Sequence, residues 1–185
     1  LATGTVPAAH GMVAHVWFDR ELARLVYNIE DPDYRLLTVG ADVDSKTERD
    51  PTQRAANEEG RSPNNILSST FRDEITVPFA GRSKIFAVSV KDRGAVSLAG
   101  HAGKAFWFSK ASGEFVTSNY YYQQYPDWVN EWNARKPFTA YAGKSWELMH
   151  PQAKYLFGDA DDRDYETDFP GFGRTFPHPY GKADD

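Results

Sequence analysis

One stretch constrains this chain more than any other. Ser83-Lys84-Ile85-Phe86-Ala87-Val88-Ser89-Val90 follows Gly81 and runs almost unbroken in apolar character, with no polar alternation. A strand with no face to give to water belongs inside a sheet covered on both sides, and such sheets are mostly parallel with helices over their faces. The run predicts a buried central strand, parallel to its neighbour. Around it, Ser62 as cap, Pro63 in a first turn, and Ile66, Leu67, Thr70, Phe71 and Ile75 at helical spacing predict a helix ending near Thr76, ahead of Pro78. Val13–Phe18 and Leu25–Ile29 read as a hairpin. Ala105-Phe106-Trp107-Phe108 and Glu114–Ser118 read as a second, turning through Lys110-Ala111-Ser112-Gly113. A short helix fits Ala95–Ala99, and another opens at Pro126 and Asp127 and ends before Pro137. The fold class that follows is α/β: helices flanking a sheet, with peripheral β-hairpins. Residues 40–61 are polar without an apolar period and predict a surface loop, mobile at its centre; residues 158–185 predict an irregular tail.

At 185 residues the chain suits one domain or part of a larger one. Asp plus Glu outnumber Lys plus Arg by 26 to 21, which argues against non-specific nucleic-acid binding. No apolar run reaches the roughly 18 residues of a membrane span. Cysteine is absent, which removes disulfides, thiolate catalysis and thiolate metal sites. Leu1-Ala2-Thr3-Gly4-Thr5 carries no signal-peptide pattern and no initiator Met, as at a processed or truncated start.

Chemistry concentrates at Val88-Ser89-Val90-Lys91-Asp92-Arg93-Gly94. In open α/β sheets ligands bind beyond the carboxyl ends of strands, and here two cations follow the most strand-like run. In extended backbone Lys91 and Arg93 point to one side and Asp92 to the other, so the cations could clamp a phosphoryl group. The competing reading is a solvated loop with Asp92 paired to a neighbour. His10, His15, His101, His150 and His178 show no helical pair spacing, and Asp159-Ala160-Asp161-Asp162-Arg163-Asp164 lacks the Gly and Glu of a calcium loop, so no metal site is expected within the chain. His101, in Ala99-Gly100-His101-Ala102-Gly103, fits a structural hydrogen-bonding role at least as well as a chemical one. Aromatic residues make up 15%. Tyr120-Tyr121-Tyr122 and Tyr125, with Trp128 and Trp132 on one helix face, could stack on a sugar or base but suit a core better. No nucleophile elbow or phosphate loop is present, so no complete catalytic apparatus is expected.

Eight segments in order resemble one family: Ala2–Gly11, Val16-Trp17-Phe18-Asp19-Arg20, Tyr27–Pro32, Ser62–Leu67, Ser89–Arg93, Ala99-Gly100-His101, Ala105–Phe108 and Gly171–His178. They are similar to the alkaline phosphatase superfamily, in the branch of type I phosphodiesterases/nucleotide pyrophosphatases and the related periplasmic alkaline phosphatases. The resemblance implies that residues 1–185 are an internal segment of a single alkaline-phosphatase-like catalytic domain, part of its central sheet. It implies a pair of zinc ions and a Thr or Ser nucleophile, with the nucleophile and metal ligands outside this chain. It gives Lys91 and Arg93 the role of holding phosphoryl oxygens, and places His15 where the family carries a phosphate-binding Asn. His15 is a departure, but a neutral imidazole can donate a hydrogen bond and a protonated one carries charge. The implied protein is a periplasmic or secreted zinc-dependent phosphatase acting on phosphate monoesters, with the rest of its domain as partner. The alternatives are a phosphodiesterase or nucleotide pyrophosphatase of the same fold, or a non-catalytic aromatic-rich binding module.

Overall fold

The computed structural model describes residues 2–43, 48, 50–56, 60–168 and 171–181. The chain divides into two units, Leu1–Arg135 and Lys136–Asp185. The first opens with a single turn, α1 (Pro7–His10), stopped by Gly11 at φ 79°. The first expected hairpin follows: β1 (Val16–Asp19) and β2 (Arg24–Tyr27) run antiparallel with Val16 opposite Tyr27. Asp19 builds its turn by accepting from the backbone N–H of Glu21 and Leu22, each at 2.9 Å.

The segment 40–61 is more than a surface loop. It contains a short helix, α2 (Pro51–Arg54), capped by Asp50, and sends Ala41, Glu48, Gln53 and Arg61 inside. Polar residues go in because each meets a charged or amide partner there, which offsets desolvation. Gly60 permits the turn inward: a Cβ on it would lie 1.5 Å from the Tyr34 carbonyl oxygen. Residues 44–47, at the centre expected to be mobile, lie outside the described residues.

The helix expected from Pro63 starts later. Ser62 Oγ and Asn64 Nδ2 both donate to Asp31 Oδ2, at 2.5 and 2.8 Å, and hold residues 62–65 as a turn. Side chains that bond locally in this way compete with helix. The helix, α3 (Phe71–Thr76), is set instead by a capping box between Thr70 and Asp73, and ends at Thr76 as expected.

The apolar run forms β3 (Phe86–Ser89), and it is parallel to its neighbour as expected. Its position differs. Among the described residues the sheet order is β3-β4-β5, so β4 (Lys104–Ser109) is central and β3 lies at an edge. Ala87 is buried, whereas Phe86 and Val88 are 49% and 57% exposed. The helix α4 (Asp92–Ala99) covers one face, bringing Ala95, Val96 and Ala99 into a core with Tyr27, Ala105 and Trp107. β4 and β5 (Glu114–Val116) make the second expected hairpin. The helix α5 (Asp127–Arg135) reaches β5 through Asn133, which accepts from the Phe115 N–H and donates to its carbonyl, both at 2.9 Å. Tyr121 and Val129 are core, while Trp128 and Trp132 are about half exposed. With Val88, Phe106, Phe115 and Val129 they line an apolar groove of about 190 Å³.

His101 is a tie between elements. Its ring faces Asp73 Oδ2 at 2.9 Å and the Ile66 carbonyl at 3.0 Å, and its backbone N–H donates to Asp73 Oδ1 at 2.8 Å. Gly100, at φ 63°, allows the turn, since a Cβ there would lie 2.1 Å from Thr70 Oγ1. Burial works to raise the Asp73 pKa, but the His101 ring and the Thr70 and Ala102 amides outweigh it and hold it below the ordinary range. A depressed folded value means that this stabilisation is present above the unfolded pKa of about 3.9 and is lost as pH falls through the folded one. Asp73→Asn should therefore flatten the acid limb of a melting-temperature profile. An equally steep limb in both proteins would contradict it.

The second unit contains two short 3-10 turns and a two-residue pairing of β6 (Ser145–Trp146) with β7 (His178–Pro179). The described residues of the expected tail, 158–168 and 171–181, are otherwise irregular, with Arg174 Nε 3.0 Å from Asp162 Oδ1. His178 is buried and stacks on Phe172 with ring centroids 4.3 Å apart. Among the described residues no helix is long and apolar enough to cross a membrane.

Candidate functional site

Helix α4 begins where β3 ends. Lys91 is its N-cap, and Asp92 and Arg93 are its first two residues. Lys91 and Arg93 therefore do not project from one side of an extended strand, yet they converge. Arg93 donates to Asp50 Oδ2 at 2.8 Å and to Thr52 Oγ1 at 2.9 Å. Lys91 Nζ lies 3.6 Å from that same Asp50 oxygen and 3.5 Å from Glu48 Oε1, and it also donates to Gln53 Oε1. Two cations are thus aimed at one carboxylate oxygen, a planar fork from Arg93 and a compact point charge from Lys91. Burial acts to raise the Asp50 pKa, but the Thr52 hydroxyl and the Arg93 guanidinium prevail and hold it far below the carboxylate range. Glu48 is likewise lowered: burial is outweighed by Lys110, whose Nζ lies 2.7 Å from Glu48 Oε2, and by the Asp50 amide.

Asp92 pairs with neither cation's side chain. It turns inward, accepting from the Tyr27 hydroxyl at 2.7 Å and from Arg61 Nε at 2.8 Å. Burial, then the charge of Asp92, pushes the Tyr27 hydroxyl above its ordinary pKa, so it remains a donor. Burial acts to lower the Arg61 pKa, but Asp92 and Asp42 outweigh it and keep the guanidinium charged.

His15 sits apart from this convergence. It is exposed, its carbonyl accepts from the Asn28 N–H at 2.9 Å, and it lines a cavity of about 460 Å³ with Thr3, His10, Met12, Asn28 and Ser97. Ser97 stands one turn along α4 from Arg93; neither Lys91 nor Arg93 lines this cavity. Asn28 Oδ1 is buried without a hydrogen-bond partner among the described residues. Asp50, Gln53, Tyr27 and Arg61 were not legible as site residues. The Asp50-Pro51 pair is a helix-start signal, but nothing local links it to residues some forty positions on.

Among the described residues no group of three or more His, Asp or Glu side chains is placed to hold a metal ion. The described residues do not fit a zinc site. Zinc titration of the 185-residue chain should show no stoichiometric binding at micromolar concentrations; a saturable one-to-one site in that range would contradict this.

The type I phosphodiesterase / nucleotide pyrophosphatase family matches residues 1–170. Alkaline phosphatase PhoV of Synechococcus elongatus is 38% identical over 178 residues, covering 95% of this chain and 30% of the relative. Alkaline phosphatase PafA of Elizabethkingia meningoseptica is 31% identical over 180 residues, covering 96% of this chain and 30% of the relative. The crystal structure of wild-type PafA aligns with a TM-score of 0.79 at 30% identity, covering 96% of this chain and 32% of that one. A PafA variant substituted at a threonine, an asparagine, and a lysine and an arginine separated by one residue aligns with a TM-score of 0.77 at 28% identity, covering 96% and 32%. The α/β architecture is thus that of the alkaline phosphatases and phosphodiesterases. Within that class, the chain belongs to the type I phosphodiesterase / nucleotide pyrophosphatase family. It spans about 30% of the length of the curated relatives it matches.

Proposed function

We propose that this chain is the phosphate-binding part of a longer catalytic domain, a zinc-dependent alkaline phosphatase that hydrolyses phosphate monoesters in the periplasm or outside the cell. The observation that carries this reading is the convergence of Lys91 and Arg93 on Asp50 Oδ2. A phosphoryl group entering the clamp takes the place of that carboxylate, with two of its oxygens on the guanidinium fork and the ammonium of Lys91. Charge spreads over these oxygens as the ester bond breaks, and preorganised cations stabilise it most at that point. The relatives PhoV and PafA are alkaline phosphatases by name, and the substituted Lys and Arg of the PafA variant share the spacing of Lys91 and Arg93. The nucleophile and the ligands of the zinc ions would come from the rest of the domain, and the ions would supply charge stabilisation to the attacking and leaving oxygens. In this reading His15 stands in the place of the family's phosphate-binding Asn and faces the phosphoryl group in the complete domain, although in this chain it lines a cavity that Lys91 and Arg93 do not.

The family's own description favours a second reading, a phosphodiesterase or nucleotide pyrophosphatase. Turnover of a phosphate monoester and of the matching diester by the complete domain separates the two. The monoester should be preferred by at least tenfold in kcat/KM, because a diester has lost one of the charged oxygens that the clamp holds. A preference for the diester would overturn the monoesterase reading.

A further inference from the structure

Asp92 lies between the two cations in sequence and behind them in space. It is 2% exposed. Oδ1 accepts from the Tyr27 hydroxyl at 2.7 Å, from Gln53 Nε2 at 3.0 Å and from the Arg93 backbone N–H at 2.7 Å. Oδ2 accepts from Arg61 Nε at 2.8 Å. Arg61, 1% exposed, continues to Asp42 Oδ1 at 2.8 Å and to the Gly60 carbonyl at 3.0 Å. Gln53 donates its amide N–H to Asp92 and accepts from Lys91 Nζ through its side-chain oxygen. One carboxylate is therefore tied to Lys91 through the Gln53 amide and to Arg93 through its own backbone.

A buried ion pair contributes little net stability compared with apolar packing of the same volume, whereas a fully paired polar network fixes one arrangement of its members. The arrangement fixed here is the start of α4, from which both clamp side chains project. We infer that Tyr27, Gln53 and Arg61 are positioning residues for the phosphoryl clamp, acting through Asp92; this rests on Lys91 and Arg93 being that clamp. With a donor removed, the carboxylate can turn, and Lys91 and Arg93 sample orientations that miss the oxyanion. Small misplacements at a binding centre are costly.

The test uses Tyr27→Phe and Gln53→Leu in the complete domain, with the inhibition constant of inorganic phosphate as readout. That constant is a property of each folded site, so a smaller folded fraction leaves it unchanged. Each variant should raise it on the order of tenfold, and Tyr27→Phe should add little in an Arg93→Ala background, where the group it positions is gone. Wild-type inhibition constants in both variants, with Arg93→Ala impaired, would overturn the inference and leave the clamp standing, the network then being structural only. An Arg93→Ala domain with an unchanged inhibition constant would remove the clamp, and the inference with it.

Discussion

Arg93→Ala should lower kcat/KM for phosphate monoesters in the complete domain by about 10²-fold or more, the cost of deleting one preorganised donor to a developing oxyanion. Two groups of the Arg93 guanidinium are already committed in this structure, one to Asp50 Oδ2 and one to Thr52 Oγ1. It therefore presents a fixed fork rather than a mobile cation, and a fork gains most when it meets two oxygens at once. A diester has an ester group on one of those oxygens, so its loss should be smaller. Comparing the two substrates in wild type and variant checks this, and equal losses would tell against a monoester clamp.

Asp92→Ala should cost about 3–5 kcal/mol of stability, the penalty for breaking a buried ion pair from one side. The substitution removes the carboxylate opposite Arg61 Nε and strips the Tyr27 hydroxyl and the Gln53 amide of a shared acceptor. Each polar group left buried adds its own desolvation cost. Natural domains hold only about 5–15 kcal/mol in total, so the variant should unfold at much lower denaturant. A urea midpoint like that of wild type would refute the account of Asp92 as the centre of the buried network.

Elements with strong local signals were legible. Both hairpins, the parallel pairing of β3 and the extent of α5 follow from apolar runs and turn residues. The start of α3 was hidden because Ser62 and Asn64 bond to Asp31, 31 and 33 residues away, and no local pattern carries that competition. The edge position of β3 was hidden for a related reason: an apolar run shows that a strand seeks cover, not which neighbours supply it. Lys91 and Arg93 stand out in the sequence by their place after a strand, and the structure gives them convergence by a helix N-terminus rather than by strand alternation. The carboxylate they meet, and the Arg61 that pairs with Asp92 behind them, come from a segment whose polar composition reads as surface. Burial of a charge depends on its partner, and the partner is distant in sequence.

The central claim is that Lys91 and Arg93 hold the phosphoryl group. A crystal structure of the complete domain with inorganic phosphate bound tests it most directly. The account predicts phosphate oxygens within hydrogen-bonding distance of Lys91 Nζ and the Arg93 guanidinium, with the Asp50 carboxylate displaced from the position it holds here. Phosphate bound elsewhere, with Asp50 still seated on Arg93, would contradict it.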